Sequence, residues 1–370
     1  MKKFKLSAIL IYMMMLVFSA CGGGGGGGSD DPGNPGAPVN PDDPNSNEVL
    51  NYTLPSGTYF NMTIIPDIST TKTFPIGMND SGSANVPARF IMGETEVTYE
   101  LWKEVYDWAT SAERGADKYT FANAGRQGGN YTDNNPVGTT QHPVTEVNLR
   151  DMIVWCNALT EYCNANKVSE TILAVVYCSD SSFTTPIRDS VAGDYDKYLN
   201  STAGSFDNPY VNSFSKGFRL PTSNEWEFAA RYIGTSVPLH TNYVLKDGIY
   251  YTKGNSASGA TDYAYNTAVN PRDNTESGPT RSVGWYSSYT PLTSTHSVKL
   301  KKSNALGLYD MSGNVLEVCF DWHPDFMGYS RICRGGIYNS GAELMQVGFV
   351  GGFYPMDRGG NSSFRICRSW

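Results

Sequence analysis

Gly217-Phe218-Arg219-Leu220-Pro221-Thr222-Ser223-Asn224-Glu225-Trp226-Glu227 is the stretch from which the fold is read. Thr222 followed three residues later by Glu225 forms a capping box, in which each side chain satisfies an orphan backbone N–H of the other. It predicts a helix over residues 223–233 that turns Trp226, Phe228 and Ala229 inward. Working outward, Thr98 caps a helix over 99–109, with Leu101, Trp102, Val105, Tyr106 and Trp108 on its apolar side. Asn148 caps another over 149–165, whose inner stripe is Met152, Trp155, Cys156, Leu159 and Cys163. Between and after these helices run long Gly/Asn/Ser/Thr stretches. Short strands are expected at 74–77, 90–93, 283–286, 315–320, 330–335, 345–350 and 364–367. This is an irregular, loop-rich α+β domain over residues 49–370, with two to three helices and small antiparallel sheets. So much loop in one domain points to functional loops.

The 370 residues carry 38 Gly, 20 Pro and 24 Tyr, but only 17% charged residues. That excludes a coiled coil, and 40% hydrophobic content is too apolar for wholesale disorder. The net charge is −8 with no basic run, which argues against nucleic acid as a partner.

The N-terminus reads as an address. Lys2, Lys3 and Lys5 precede an apolar run from Leu6 to Ala20, the pattern of an export signal over residues 1–21. Phe18-Ser19-Ala20-Cys21 resembles a bacterial lipobox, which implies acylation of Cys21 and a membrane held through an N-terminal lipid; Phe18 departs from the usual Leu. The alternative is a cut by the ordinary signal peptidase. Residues 22–48, a Gly22–Gly28 run followed by Asp, Pro, Asn and Gly, cannot bury enough apolar surface to fold and form a tether. Apart from Cys21, six cysteines remain: Cys156, Cys163, Cys178, Cys319, Cys333 and Cys367. An exported protein can pair its cysteines, but Cys156 and Cys163 stand about 10 Å apart along one helix. Buried free thiols are the preferred reading.

Further words stand in order along the body: Phe74-Pro75-Ile76-Gly77, Gly93-Glu94-Thr95-Glu96-Val97-Thr98, His142-Pro143-Val144, Asn304-Ala305-Leu306-Gly307-Leu308-Tyr309-Asp310-Met311-Ser312-Gly313-Asn314-Val315-Leu316-Glu317, Arg334-Gly335-Gly336 and Phe364-Arg365-Ile366-Cys367-Arg368-Ser369. Together with the 217–227 word they resemble the formylglycine-generating enzyme (sulfatase-modifying factor) family over about residues 73–370. The resemblance implies a much-decorated C-type-lectin fold.

Catalytic members of that family oxidise a substrate cysteine with copper held by two cysteines just after the Arg-Gly-Gly word. The matching positions here are Ser340 and Met345. A serine hydroxyl cannot replace a thiolate for soft Cu(I). His142, His240, His296 and His323 each stand alone, so no helical His pair exists for non-haem iron. No catalytic residue is assigned, and no cofactor is required. The resemblance also implies structural calcium, for which Asn304 with nearby carbonyls and Glu317 offer hard oxygen ligands, and Asn266 a weaker second position. Alternatively, Asn304 and Asn314 act as turn residues.

Between Arg334 and Phe364 only a skeleton of the family pattern remains: Gly335, Gly336, Ala342, Val347, Gly348, Phe349, Pro355 and Arg358. The side chains between them are a mixture that suits a diversified surface over about residues 337–363. The candidate ligand-binding residues are Ile337, Tyr338, Asn339, Ser340, Gly341, Glu343, Leu344, Gln346, Val350, Phe353, Tyr354, Met356, Asp357 and Ser362. Tyr338, Phe353 and Tyr354 supply rigid aromatic anchors; Phe349 and Phe364 are assigned to the core. This tail resembles the variable proteins of diversity-generating retroelements, among them surface variable lipoproteins of spirochaetes. The resemblance implies an exported, lipid-anchored receptor on a bacterial surface, with a protein ligand. Three readings stay open: this receptor, an exported modifying enzyme of the parent family, and a fixed-sequence structural lipoprotein whose loops have drifted.

Overall fold

The computed structural model describes residues 48–68, 72–86, 89–130, 136–169, 171–191, 199–262, 278–287 and 292–370, all within one compact unit. The expected signal with Cys21, all but the last residue of the tether, and Asn266 lie outside the described residues.

Three α-helices occur among the described residues. Helix α1 (Tyr99–Ala109) starts at Thr98, whose hydroxyl accepts the Leu101 N–H at 3.2 Å. It buries Leu101, Trp102, Val105 and Ala109, while Tyr106 and Trp108 are only half-buried. Helix α2 (Leu149–Ala165) starts at Asn148, which forms a capping box with Asp151. Helix α3 (Ser223–Arg231) starts at the Thr222–Glu225 box expected from the sequence. It stops two residues early because Tyr232–Gly234 is already a strand, paired with Ile249–Thr252.

The N-terminal sheet is antiparallel, in the order Val49–Thr53, Tyr59–Ile65, Phe90–Gly93, Cys367–Ser369. The last strand of the chain thus closes beside one of the first. A second sheet is ordered Gly351–Phe353, Arg331–Arg334, Leu316–Trp322, Ser362–Ser363, its last pairing parallel. Helices α1 and α2 pack together against the first sheet. Trp102 and Trp155 stack there at 5.5 Å, with Phe364 edge-on at 6.1 and 5.6 Å.

Two expected strands are absent: residues 283–286 form irregular chain that buries Val283 and Tyr286, and residues 345–350 form a loop. In both, buried apolar residues imitate a strand pattern although the backbone bonds run elsewhere: Val347 and Gly348 donate to Ser256 and Gly254. A third, expected at 364–367, is displaced, since residues 364–366 only link the Ser362–Ser363 and Cys367–Ser369 strands. The Val49–Thr53 and Tyr59–Ile65 strands were not expected. All six cysteines of the described residues are buried and free. Burial pushes the thiols of Cys163 and Cys333 up to about 12, which leaves them protonated and inert.

Candidate functional site

The sequence words meet as a buried polar network. Trp226 Nε1 donates to Glu317 at 2.7 Å, and Arg365 grips the same carboxylate with Nε and Nη2 at 2.5 and 2.6 Å. Arg334 donates to Glu227 at 2.8 Å, and Arg231 reaches the other oxygen of Glu227 at 2.9 Å. Arg219 holds Glu225 through two bonds of 2.8 and 2.7 Å, tying the start of the 217–227 word to its own helix cap. Each acid in this network is matched by an arginine, as buried charge requires.

Two neighbouring acids are not matched. Glu96 and Asp310 are both 1% exposed, and each leaves one carboxylate oxygen without a partner. Burial first, then lesser effects including the nearby Glu317, pushes Asp310 up to about 6. Burial, with Asp310 and Glu317 adding to it, holds Glu96 well above the usual carboxylate range.

This wiring corrects the calcium expectation at its named residues. Both oxygens of Glu317 are taken by Arg365, one of them also by Trp226. Asn304 donates to the Ala229 carbonyl and Ser258 Oγ and accepts from the N–H groups of Leu306 and Leu308. Asn304 therefore acts as the turn residue, and Glu317 as an arginine partner. Among the described residues no group of three or more His, Cys, Asp or Glu is placed to hold a metal. His142 packs in a loop, its Nδ1 3.0 Å from Thr295 Oγ1.

The segment after Arg334-Gly335-Gly336 lies directly on this network. Gly335 and Gly336 take φ of 89° and 80°. At Gly336 a Cβ would fall 2.2 Å from Met345 Cε, so the turn demands glycine. From there the backbone is anchored by its own groups. Tyr338 N donates to Asn314 O, Ser340 O accepts from Ser287 N, and Leu149 N donates to Pro355 O. Further along, Glu146 N donates to Gly359 O and Leu316 N to Asn361 O.

The candidate ligand-binding residues divide by burial. Ile337, Tyr338, Ser340, Gln346, Phe353 and Ser362 are buried, Tyr338 at 1%. They brace the segment and are corrected here from contact to support. Asn339, Gly341, Leu344, Val350 and Met356 are half-exposed; Glu343, Tyr354 and Asp357 are exposed. Phe349, assigned to the core, is half-buried. At the position of the family's first copper cysteine, Ser340 Oγ is buried without a partner. At the second, Met345 fills a small core with Val283, Tyr286 and Ala342.

One element was missed. The Trp285 indole stacks on the His296 ring at 3.8 Å and 6°, and Lys301 Nζ lies 3.8 Å over the indole. Ser287, two residues from Trp285, bonds the Ser340 carbonyl, so this stack borders the segment. Burial lowers His296 to about 4, leaving it neutral at ordinary pH. No sequence signal joins these residues, which stand eleven apart in the chain.

The model of the sulfatase-modifying factor enzyme 1-like domain matches residues 62–370. The chain belongs to this family. Among solved structures, a variable protein 1 of Treponema denticola is 25% identical with a TM-score of 0.53, covering 87% of this chain and 99% of its own. CarF has a TM-score of 0.55 at 21% identity, covering 88% of this chain and 99% of its own, a likeness of fold. A curated relative, described as chaperone protein LppX of Paenibacillus barcinonensis, is 26% identical over 283 residues, 76% of this chain and 80% of its own length. Within the family frame, the 334–336 word precedes the segment at which this chain departs from the copper-binding pattern.

Proposed function

We propose that the chain is an exported, lipid-anchored recognition protein, tethered through Cys21 and residues 22–48, without oxidase chemistry. It binds a ligand of protein nature through residues 337–363. The observation that carries this reading is the mode of attachment of the segment. Main-chain bonds hold it to the scaffold, so Asn339, Glu343, Tyr354, Met356 and Asp357 can be exchanged without loss of an anchor, whereas Leu344 and Val350 also pack on buried clusters. Exchangeable side chains on a fixed backbone are what a diversified paratope needs. The likeness to the Treponema denticola variable protein supports the same reading. Serine and methionine where copper needs two thiolates argue against the parent chemistry. Among the described residues no helix is long and apolar enough to cross a membrane, so the reading places attachment at the N-terminal lipid.

The test is the gene itself. Sequencing its 3′ end in many isolates, with an upstream stretch as control, is expected to find adenine replacements concentrated in codons 337–363. They should fall preferentially on Asn339, Glu343, Tyr354, Met356 and Asp357. A tail as invariant as the control overturns the diversified-receptor reading and leaves a fixed-specificity binder or a structural lipoprotein.

A further inference from the structure

Four buried arginines in this domain reach carboxylates: Arg150 to Asp207, Arg231 and Arg334 to Glu227, and Arg365 to Glu317. Arg331 donates instead to the carbonyls of Phe320 and Asp207 and leaves its Nε without a partner. Arg368 has fewer partners still. It is 8% exposed and makes no ion pair among the described residues. Its hydrogen bond runs from Nη1 to the Tyr52 hydroxyl at 2.8 Å, and its Nε is buried without a partner. The Nε–Nη2 edge, the fork that grips a carboxylate or phosphate in two prongs, is unused. A buried cation left in this state costs free energy unless something supplies the missing charge.

Arg368 lines a cavity of about 470 Å3, a size usual for small-molecule sites. Its walls mix apolar side chains, Leu50, Ile91, Val168 and Trp370 among them, with the polar Asn51, Ser169 and Thr171, and its second cation is Lys216. Lys216 is exposed and has no ion pair among the described residues. A third cation, Arg89, stacks 4.2 Å over the Trp370 ring. Ile172 and Phe214, close in sequence to the lining residues Thr171 and Lys216, are 91% and 92% exposed. A guanidinium without an ion pair beside an apolar wall suits an anion that carries an apolar body, and two cations without a carboxylate do not suit a metal.

We infer that this cavity binds an amphiphilic anion: a carboxylate or phosphate head held by Arg368 and Lys216, with an apolar body along Leu50, Ile91, Val168 and Trp370. The site is independent of the recognition surface. Its wall includes Val49 and Leu50, at the point where the tether joins the domain, so the head can come from a free amphiphile or from a membrane lipid.

The test uses the full chain with Cys21→Ser, which carries no acyl group, titrated calorimetrically with decanoate, 1-decanol and decyltrimethylammonium. Saturable one-to-one binding of decanoate is expected, with the neutral and cationic analogues at least about ten-fold weaker, as loss of a paired charge implies. Arg368→Gln should weaken decanoate by about ten-fold or more and Lys216→Gln by about three-fold. Lys216 is exposed, so its variant folds as the parent does and keeps the test valid if Arg368→Gln does not fold. Co-sedimentation with phosphatidylglycerol vesicles but not phosphatidylcholine vesicles, lost in the same variants, assigns the head to a lipid. Decanoate binding without vesicle association assigns it to a free amphiphile. Absence of saturable binding to decanoate and to anionic vesicles, equal binding of decanol, or full affinity in Lys216→Gln overturns the site.

Discussion

The words of the scaffold and the segment that follows Gly336 share the C-terminal half of the chain, yet they are held in opposite ways. The scaffold words are joined by side chains: Trp226 to Glu317, Glu317 to Arg365, Arg334 to Glu227. Replace one partner and a buried charge is stranded. The segment is joined by its backbone, through Tyr338 N, Ser340 O, Val347 N and Pro355 O, and by a few buried apolar side chains such as Met345, Val347 and Phe353, while Asn339 Oδ1 and Ser340 Oγ bond nothing. Side-chain identity is therefore constrained most where side chains carry the fold and least at exposed positions where main chain carries it. The proposed recognition role rests on that difference.

The largest expected effect falls on the wiring. Glu317→Ala strands Arg365 in the core and should lower unfolding free energy by about 3–5 kcal/mol, read from a denaturant titration. A loss below about 1 kcal/mol would remove the contrast on the scaffold side. Within the segment, Tyr338→Ala empties a site that is 1% exposed and should cost about 3 kcal/mol. This residue belongs energetically with the scaffold although it lies within residues 337–363.

The unmatched acids give a pH signature. A carboxyl whose folded pKa is raised adds stability below its unfolded pKa, and that contribution is lost as pH climbs through the folded value. For Asp310 the window runs from its ordinary value of about 4 up to about 6. Asp310→Asn has no charge to bury, so its stability relative to the parent should rise by about 2 kcal/mol between pH 4 and pH 7. Parallel pH profiles for the two proteins would show that Asp310 carries no such penalty. The smallest effect belongs to the surface: Tyr354→Ala, at a residue 54% exposed, should change stability by less than about 0.5 kcal/mol.

The parts of this fold legible in the sequence are those with local signals. Thr98, Asn148 and the Thr222–Glu225 pair mark helix starts because capping is settled within four residues. Val49–Thr53 escaped because it is mostly exposed and carries little alternation, and Tyr59–Ile65 because its last four residues are all buried and show no alternation. The 345–350 loop looked like a strand because Met345 and Val347 are buried, whereas strand identity depends on distant partners. In the candidate site, composition revealed which segment departs from the pattern. It could not separate Tyr338 from Tyr354, since burial of a tyrosine in a Gly-rich loop is decided by tertiary packing. Nor could it set Arg368 apart from Arg365, three residues earlier, for only the folded arrangement gives one a carboxylate and leaves the other a cavity.

The most direct test of the contrast is one urea titration of three proteins: the parent, Glu317→Gln, and a chain with Asn339, Glu343, Tyr354, Met356 and Asp357 all replaced by serine. The account predicts that the five-fold variant keeps its midpoint close to the parent while the single scaffold change moves it far more. A five-fold variant that unfolds as early as Glu317→Gln would contradict the claim that the backbone, not the side chains, holds this surface.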